Sequence, residues 1–176
     1  MRPEPDCSLC ALCRGRTNIV LPDGDFSTGI VFVGEAPGEN EDLEGRPFVG
    51  RSGKILDAMM ADAGISRSDV TITNTVKCRP PDNRDPKPEE MEACRPFLHW
   101  ELSQASLVVG LGRSAVRDLM GFDGKMSEVV NVMTYIEVDG RKVRFLPTYH
   151  PAATIYNKNS RAELRRTMDI VREEMQ

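Results

Sequence analysis

The segment Ile30-Val31-Phe32-Val33-Gly34 is a short, continuous run of apolar residues that ends at a glycine. Such a run, rich in β-branched residues, is typical of a strand buried on both faces of a sheet. Similar runs, Val70-Thr71-Ile72-Thr73 and Leu107-Val108-Val109-Gly110, follow it along the chain. Segments with helical spacing separate these strands, which predicts a mainly parallel sheet with helices on both faces.

The predicted helices are recognised from their spacing and their ends. Apolar residues recur at helical spacing over residues 55–63, and Pro88 followed by two acids is typical of the start of a second helix. Further helices are expected from about Ser114 to Met120 and from about Arg161. Asp139-Gly140 lies between two alternating segments and is typical of a β-hairpin turn. The expected fold is a three-layer α/β/α domain around a central, mainly parallel four-stranded sheet.

Length and composition limit the class of protein. With 176 residues, of which 40% are hydrophobic and 28% charged, the chain fits one domain over residues 1–176. The net charge of −4 argues against a surface coated with cations for non-specific nucleic-acid binding, although a local basic patch is compatible with it. No apolar run reaches the length of a membrane span and no signal peptide opens the chain, so we expect a cytoplasmic monomer without membrane contact.

The chain has five cysteines, which are Cys7, Cys10, Cys13, Cys78 and Cys94. An odd number with three packed near the start is a poor disulfide framework, and in a reducing compartment clustered cysteines are more often metal ligands. Four thiolates gathered from separate parts of a chain could hold zinc or an iron–sulfur cluster. The spacing alone does not decide between these two.

Polar residues follow the predicted strands at their carboxyl ends, where sites form in folds of this kind. The segment from Gly34 to Asp42 follows the first strand and carries several carboxylates. Asn74 follows the second strand, and its amide offers a donor and an acceptor side by side to the edge of a base. His150 follows the last strand, and its imidazole can donate to a developing anion.

An aromatic residue, Phe48, stands among three cations, Arg46, Arg51 and Lys54. A ring beside cations suits stacking on a base next to a phosphate backbone. The plainer alternative is that Phe48 anchors its loop in the core and that the polar residues satisfy loop backbone. Each of these features is weak alone, and their co-occurrence is more specific.

Four sequence runs carry a resemblance to a known family. They are GEAPGENED from Gly34, GRPFVGRSGKIL from Gly45, TNTVKCRPP from Thr73 and YHPAA from Tyr149. In this order they resemble the family 4 uracil-DNA glycosylases, the thermostable iron–sulfur enzymes of bacteria and archaea. The resemblance covers nearly the whole chain. It implies a uracil-DNA glycosylase-like fold that binds uracil-containing DNA, flips the deoxyuridine out of the helix and hydrolyses its N-glycosidic bond.

The resemblance also implies a structural 4Fe–4S cluster held by Cys7, Cys10, Cys78 and Cys94. Cys13 leaves a second alignment open, in which Cys10 and Cys13 form the first pair of ligands. We prefer Cys7 and Cys10, because that alignment keeps the residues that follow in register without a gap.

The family's other residue roles fall on the motifs at the strand ends. By resemblance, Phe48 stacks on the flipped uracil, Asn74 reads its edge and His150 stabilises the departing anion. Glu35 is the first candidate for positioning water and supporting a cationic sugar. Glu41 is the second candidate, and it is also the expected barrier to the methyl group of thymine. The expected uracil-binding set is Glu35, Ala36, Pro37, Phe48, Asn74 and His150.

Contacts to the rest of the DNA are also implied by the resemblance. Arg46 and Arg51 are expected to contact phosphates. Thr154 is polar where the family commonly carries an apolar side chain that wedges into the DNA stack. Ile155 or Tyr156 is therefore expected to take that role.

Two other classes of protein share some of these features. A related branch that binds uracil-DNA covalently is disfavoured, because it carries glutamine where this chain has Glu35 and an inserted basic stretch that is missing here. A non-enzymatic iron–sulfur or zinc protein would use the same thiolates for electron transfer or scaffolding. It would explain the cysteines, but not Phe48, Asn74 and His150 at three sheet-end loops.

Overall fold

The computed structural model describes all residues from 1 to 176 and is built around one five-stranded sheet. Its strands are β1 Ile30–Gly34, β2 Thr71–Asn74, β3 Leu107–Leu111, β4 Thr134–Val138 and β5 Arg141–Thr148. Their order across the sheet is β2-β1-β3-β5-β4. The neighbours among β2, β1, β3 and β5 are parallel, and β4 is antiparallel to β5. The expected mainly parallel sheet is therefore confirmed.

The expected number of four strands is too low by one, because both arms of the predicted hairpin belong to the sheet. β4 is joined to β5 through Asp139-Gly140 and forms an edge of the sheet. Ile136 and Val138 are buried, whereas Tyr135 and Glu137 are exposed. This alternation lets a strand bury one face at a sheet edge while water covers the other.

Five helices accompany the strands. They are α1 Glu39–Glu44, α2 Arg51–Asp62, α3 Pro88–Leu102, α4 Arg113–Met120 and α5 Lys158–Glu174. The four predicted helices are all present, and α5 begins at Lys158 rather than near Arg161. The short helix α1 lies where the sequence predicted only a carboxylate-rich loop, and its first turn carries three acids, which the helix dipole favours. No helix combines the length and the apolar character that crossing a membrane requires.

The helices cover both faces of the sheet, which confirms the three-layer arrangement. On one face α2 and α5 pack against the strands. The buried side chains of this layer include Leu56, Met60, Leu164 and Met168 against Phe32, Ile72 and Leu146. On the other face α3 and α4 do the same. Their buried side chains include Leu98, Leu102 and Val116 against Val31, Val33 and Val108.

The strand register determines which motifs meet at the carboxyl edge of the sheet. Gly34 at the end of β1 pairs with Asn74 at the end of β2. Thr148, the last residue of β5, pairs with Leu111 at the end of β3, and His150 follows two residues later. The segments that the sequence marked as functional therefore open onto the same edge.

Candidate active site

A cavity of about 430 Å³ lies at this edge of the sheet. Its size falls within the range of about 300–1,000 Å³ that is usual for small-molecule sites. Its walls contain every residue of the expected uracil-binding set, together with Glu41. The lining residues are Glu35, Ala36, Pro37, Gly38, Glu41, Phe48, Ser52, Asn74, Pro80, Asn83, Arg84, His150 and Ala152.

Asn74 stands in this wall with an unusual hydrogen-bonding state. The residue is only 3% exposed, and its side-chain oxygen Oδ1 is buried without any hydrogen-bond partner. Leaving a buried acceptor unpaired costs about 1–3 kcal/mol, and native proteins rarely tolerate it. Because Asn74 also lines the cavity, this unpaired acceptor is suited to receive an N–H group from a ligand that packs against it.

Gly34 makes room for both Asn74 and Phe48. A β-carbon at Gly34 would lie 2.7 Å from Asn74 Oδ1 and 2.6 Å from Cζ of the Phe48 ring. Both distances are shorter than van der Waals contact, so only a glycine lets the ring and the amide approach the end of β1 in this way. The glycine thus shapes the cavity directly.

The ring of Phe48 is presented by a strained backbone. Phe48 has a φ angle of 51°, in the left-handed region that bulky residues rarely adopt. Arg67 holds this conformation, because its guanidinium donates to the main-chain oxygen of Phe48 at 2.8 Å and to that of Pro47. Asp23 and Asp57 each accept from Arg67 at 3.0 Å. The sequence did not single out Arg67, since nothing in its local pattern links it to Phe48.

His150 faces the ring of Phe48, with ring centroids 5.7 Å apart. Its Nδ1 accepts a hydrogen bond from the main-chain N–H of Ala152 at 3.1 Å. In a neutral imidazole the proton then resides on Nε2. Burial lowers the pKa of His150 below its ordinary value of 6.5, against the opposing effect of Glu41. His150 is therefore a neutral donor at physiological pH.

Both carboxylate oxygens of Glu41 accept hydrogen bonds from the protein backbone. Oε1 accepts from the N–H of Gly38 at 3.0 Å, and Oε2 accepts from Val49 at 2.9 Å and from Gly50 at 2.7 Å. These bonds join the loop after β1 to the loop that carries Phe48. The geometry thus gives Glu41 a bracing role at the cavity wall.

Glu35 carries the carboxylate that is free of such bonds to the backbone. It lines the main cavity and also an adjoining depression that contains Asp85, Ser114 and Arg117. Burial raises the pKa of Glu35 above its ordinary value of 4.5, and nearby Asp85 adds to this effect, whereas a hydrogen bond from Ser114 opposes it. A half-buried carboxylate with a raised pKa in a cleft is a common property of catalytic groups.

Several lining residues were not predicted from the sequence. Ser52 lies in the first turn of α2, and Pro80, Asn83 and Arg84 come from the proline-rich loop after β2. Arg84 forms two hydrogen bonds with the carboxylate of Glu90, at 2.8 and 2.9 Å. One feature of the sequence could have indicated these residues, namely that their loop comes shortly after Asn74 at the carboxyl end of a strand.

The residues expected to contact DNA outside the uracil pocket lie outside the cavity. Arg46 is exposed and forms an ion pair with Asp23 at 2.9 Å. Arg51 is exposed at the start of α2.

The side chains of the loop after His150 differ in their burial. Thr154 is buried, and its hydroxyl donates to the main-chain oxygen of Pro151 at 2.7 Å. Ile155 is half-buried, and Tyr156 is 90% exposed. The polar threonine therefore closes a turn inside the protein, while Tyr156 projects into the solvent.

A second cavity brings together cysteines from distant parts of the chain. Cys7, Cys10, Cys78 and Cys94 all line it, and Cys13 does not. Its other walls are largely apolar. No three Cys, His, Asp or Glu side chains converge closely enough to hold a single metal ion. The four cysteines instead line one narrow space of about 10 Å³, and in a cluster of several irons each thiolate would bind a different iron.

Burial favours the neutral thiol form of Cys78 and Cys94 in this cavity, so that only a bound cation would favour their deprotonation. Burial raises the pKa of the Cys78 thiol to about 11, against the opposing effect of Arg16. Arg16 donates to Cys78 Sγ at 3.6 Å and to the main-chain oxygen of Cys7 at 2.7 Å. It thereby ties the N-terminal segment to the loop after β2.

Comparison with known proteins identifies the family. The sequence profile of the Uracil DNA glycosylase superfamily matches residues 21–172. The chain is 45% identical to a type-4 uracil-DNA glycosylase of Archaeoglobus fulgidus, over 93% of this chain and 85% of that protein. It is 45% identical to one of Thermotoga maritima (91% and 82% covered) and 42% identical to one of Sulfurisphaera tokodaii (95% and 79% covered). The chain therefore belongs to the uracil DNA glycosylase superfamily and, within it, to the type-4 uracil-DNA glycosylases.

Proposed function

We propose that this protein removes uracil from DNA, acting as a monomer that hydrolyses the N-glycosidic bond of deoxyuridine and leaves an abasic site for base excision repair. The observation that carries the proposal is the unpaired Oδ1 of Asn74 in the cavity wall. Uracil presents an N–H at N3 next to the oxygen O4. The Asn74 amide accepts from the first and donates to the second.

The same amide explains discrimination against cytosine. Cytosine presents an acceptor at N3 and an amino donor at C4, so both of its groups would oppose those of Asn74. A site that leaves buried polar groups unpaired rejects the wrong ligand by about 10⁴–10⁵-fold. The ring of Phe48, held by its strained backbone, stacks on the face of the base. Thymine differs only by its methyl group, and the wall braced by Glu41 is the barrier to it.

Bond cleavage develops negative charge on uracil and positive charge on the sugar. The Nε2–H of neutral His150 donates to O2 of the leaving uracil, an interaction of the oxyanion-hole kind. Glu35 stabilises the cationic sugar and positions the attacking water, as a carboxylate does in glycoside hydrolysis generally. Ala36 and Pro37 complete the wall around the base. Glu41 braces the pocket instead of reacting.

The target nucleotide must leave the helix before it can enter the pocket, and unstacking costs a few kcal/mol. The exposed ring of Tyr156, with Ile155 beside it, fills the gap left in the DNA stack. Arg46 and Arg51 bind phosphates. Arg46 then exchanges its ion pair with Asp23 for a phosphate contact.

We also propose that Cys7, Cys10, Cys78 and Cys94 hold a 4Fe–4S cluster. The proposal rests on four thiols around one apolar cavity and on the exclusion of Cys13 from it. When bound, the cluster supplies a cross-link between the N-terminal segment, the loop after β2 and helix α3. None of the four cysteines lines the uracil pocket, which favours this structural role.

The direct test of the function is release of free uracil from an oligonucleotide that contains one deoxyuridine. The expected result is stoichiometric uracil and an abasic site, with no release from oligonucleotides that carry cytosine or thymine instead. Intact uracil-containing oligonucleotide after long incubation with excess enzyme would refute the proposed function.

Asn74 variants test the reading of the base. Asn74→Ala is expected to lower the uracil excision rate strongly. Asn74→Asp should also weaken excision. It should permit some release of cytosine, because a carboxylate can accept a hydrogen bond from the cytosine amino group. Single-turnover assays on uracil- and cytosine-containing oligonucleotides measure both effects. Wild-type uracil excision by Asn74→Ala would show that the base is read elsewhere.

Gly34→Ala tests the shape of the pocket without removing any polar group. The added methyl must push the ring of Phe48 and the amide of Asn74 apart. Overpacking of this kind costs about 1–3 kcal/mol, so we expect excision to fall roughly tenfold to a hundredfold. Gly15→Ala is the matched control, because a methyl group there meets nothing within 4 Å. Equal activity of the two variants would contradict the proposed packing.

Cysteine variants and metal analysis test the cluster. Anaerobically purified protein should be brown and contain about four irons per chain, as a four-cysteine cubane requires. Cys7→Ser should weaken the visible absorption, whereas Cys13→Ser should leave it unchanged. Stoichiometric zinc without iron would rule out the cluster. Weaker absorption in Cys13→Ser, with none lost in Cys7→Ser, would show that Cys13 is the ligand in place of Cys7.

A further inference from the structure

Lys77 is a lysine with its charged group inside the protein. Its Nζ donates to Thr73 Oγ1, to the main-chain oxygen of Asn74 and to Oε1 of Glu101, each at 2.7 Å. The side chains of Lys77 and Glu101 are 1% and 3% exposed. All three N–H groups of the ammonium therefore have a partner, and the charge is paired.

Stability alone does not account for this pair. Burying two charges is expensive, and replacing a buried ion pair by apolar residues is often neutral or stabilising. The distinguishing feature of the pair is its attachment to the main chain of Asn74. That residue lines the uracil pocket and carries the buried acceptor that has no partner.

The Asn74 amide depends on its backbone for its direction. Because Oδ1 has no partner inside the protein, no hydrogen bond to that oxygen fixes the side chain before a ligand enters. The residues that follow are tied to the loop after β1, since the N–H groups of Thr75 and Val76 donate to the main-chain oxygens of Gly34 and Glu35. Lys77 supplies the remaining attachment, at the main-chain oxygen of Asn74 itself.

Helix α3 provides the other end of this attachment. Glu101 lies about two helical turns after Cys94 and therefore on the same face of the helix. Lys77 directly precedes Cys78 and lines the cysteine cavity. Helix α3 thus meets the loop after β2 at two neighbouring points, one at Lys77 and one at the cysteines.

We infer that Lys77, held in place by Glu101, is a positioning residue for base recognition. It fixes the main chain at the end of β2, and thereby aims the Asn74 amide at the edge of the base. The inference rests on the proposed uracil excision and adds two residues outside the pocket wall to its recognition machinery. Neither residue touches the base.

The test replaces the pair by apolar residues, in two backgrounds. Lys77→Met/Glu101→Leu removes both charges together, so that no buried charge is left unpaired. In the otherwise wild-type protein it should lower the single-turnover rate and the affinity for free uracil, each by about tenfold. A loss of this size is usual for the coupling between residues in one hydrogen-bond network. In the Asn74→Ala background the same replacement should change the residual rate by less than about twofold, because the side chain that Lys77 aims is already gone.

Thr73→Val is the matched control. It removes a hydroxyl from the same buried network but leaves the bond from Lys77 to the Asn74 main chain intact. It should lower the temperature of unfolding and leave the excision rate near that of the wild type. Should the double variant not fold, Lys77→Arg replaces it, since a planar guanidinium keeps the charge but cannot present the same three donors. The same tenfold loss is expected.

Two results would overturn the inference. One is a wild-type excision rate and uracil affinity in the folded double variant or in folded Lys77→Arg. The other is an equal loss in the wild-type and Asn74→Ala backgrounds, which would mean that the pair acts on the fold and not through Asn74. A wild-type protein that releases no uracil in the same assay would overturn the proposed function and this inference with it, whereas both results above require an active wild type.

Discussion

His150→Ala is expected to lower the single-turnover rate of uracil release by roughly a hundredfold to a thousandfold, the usual loss when one well-placed donor to a developing anion is removed. The main-chain N–H of Ala152 occupies Nδ1, which leaves the Nε2–H of a neutral imidazole for O2 of uracil. Negative charge accumulates on uracil as the bond breaks, so the interaction strengthens in the transition state. Affinity for uracil-containing DNA should therefore change little.

His99→Ala controls for the loss of an imidazole as such. His99 lies on α3, outside the uracil cavity, and its Nδ1 is 3.2 Å from a carboxylate oxygen of Asp139. This variant should retain nearly full activity. The measurements are single-turnover uracil release and equilibrium binding to uracil-containing DNA. A His150→Ala enzyme as fast as His99→Ala would remove His150 from the mechanism.

Glu35→Gln is expected to cause a loss of similar size, roughly a hundredfold to a thousandfold, since it removes the charge that faces the cationic sugar. The variant should nevertheless unfold at a temperature no lower than the wild type at neutral pH. Burial raises the pKa of Glu35 above 4.5, so the folded state favours the neutral carboxyl. Stability from that preference is fully present below pH 4.5 and is lost as the pH rises through the raised pKa. A neutral glutamine avoids this loss.

The pH dependence and Glu41 separate the two carboxylates. If ionised Glu35 is the active form, the wild-type rate falls as the pH is lowered through its raised pKa, above pH 4.5, and this limb is absent in Glu35→Gln. Glu41→Gln should instead lower stability, because its carboxylate accepts three backbone N–H groups. Full activity in Glu35→Gln with a nearly inactive Glu41→Gln would transfer the water-positioning role to Glu41.

Much of the fold could be predicted from local sequence signals. The buried strand over residues 30–34 and the proline at position 88 each carry a physical preference that the structure follows. Helix α1 was missed because glycines and a proline precede it, although Gly45 after it has the left-handed conformation of a helix end. The fifth strand was left out of the sheet because an alternating arm of a hairpin does not reveal whether it pairs inside the sheet or outside it.

The site was less accessible to sequence reasoning wherever it depends on distant partners. Asn74 and His150 were found because they lie at strand ends, and the parallel register brings such ends together. Phe48 was found from the cations around it in the sequence. Lys77 was not, because a lysine in a loop is ordinarily exposed, and its burial depends on Glu101 in another layer of the fold. The backbone bonds of Glu41 are equally invisible in the pattern of the chain.

The left-handed backbone at Phe48 limits how this pocket can be changed by evolution or by engineering. Glycine, asparagine and aspartate adopt that conformation most readily, yet none of them offers a ring that can stack. An aromatic residue at this position therefore requires the arginine that restrains it, and Arg67 in turn draws on two aspartates. Attempts to redirect the enzyme to other damaged bases by altering position 48 would therefore have to change Arg67 and its two aspartates together with it.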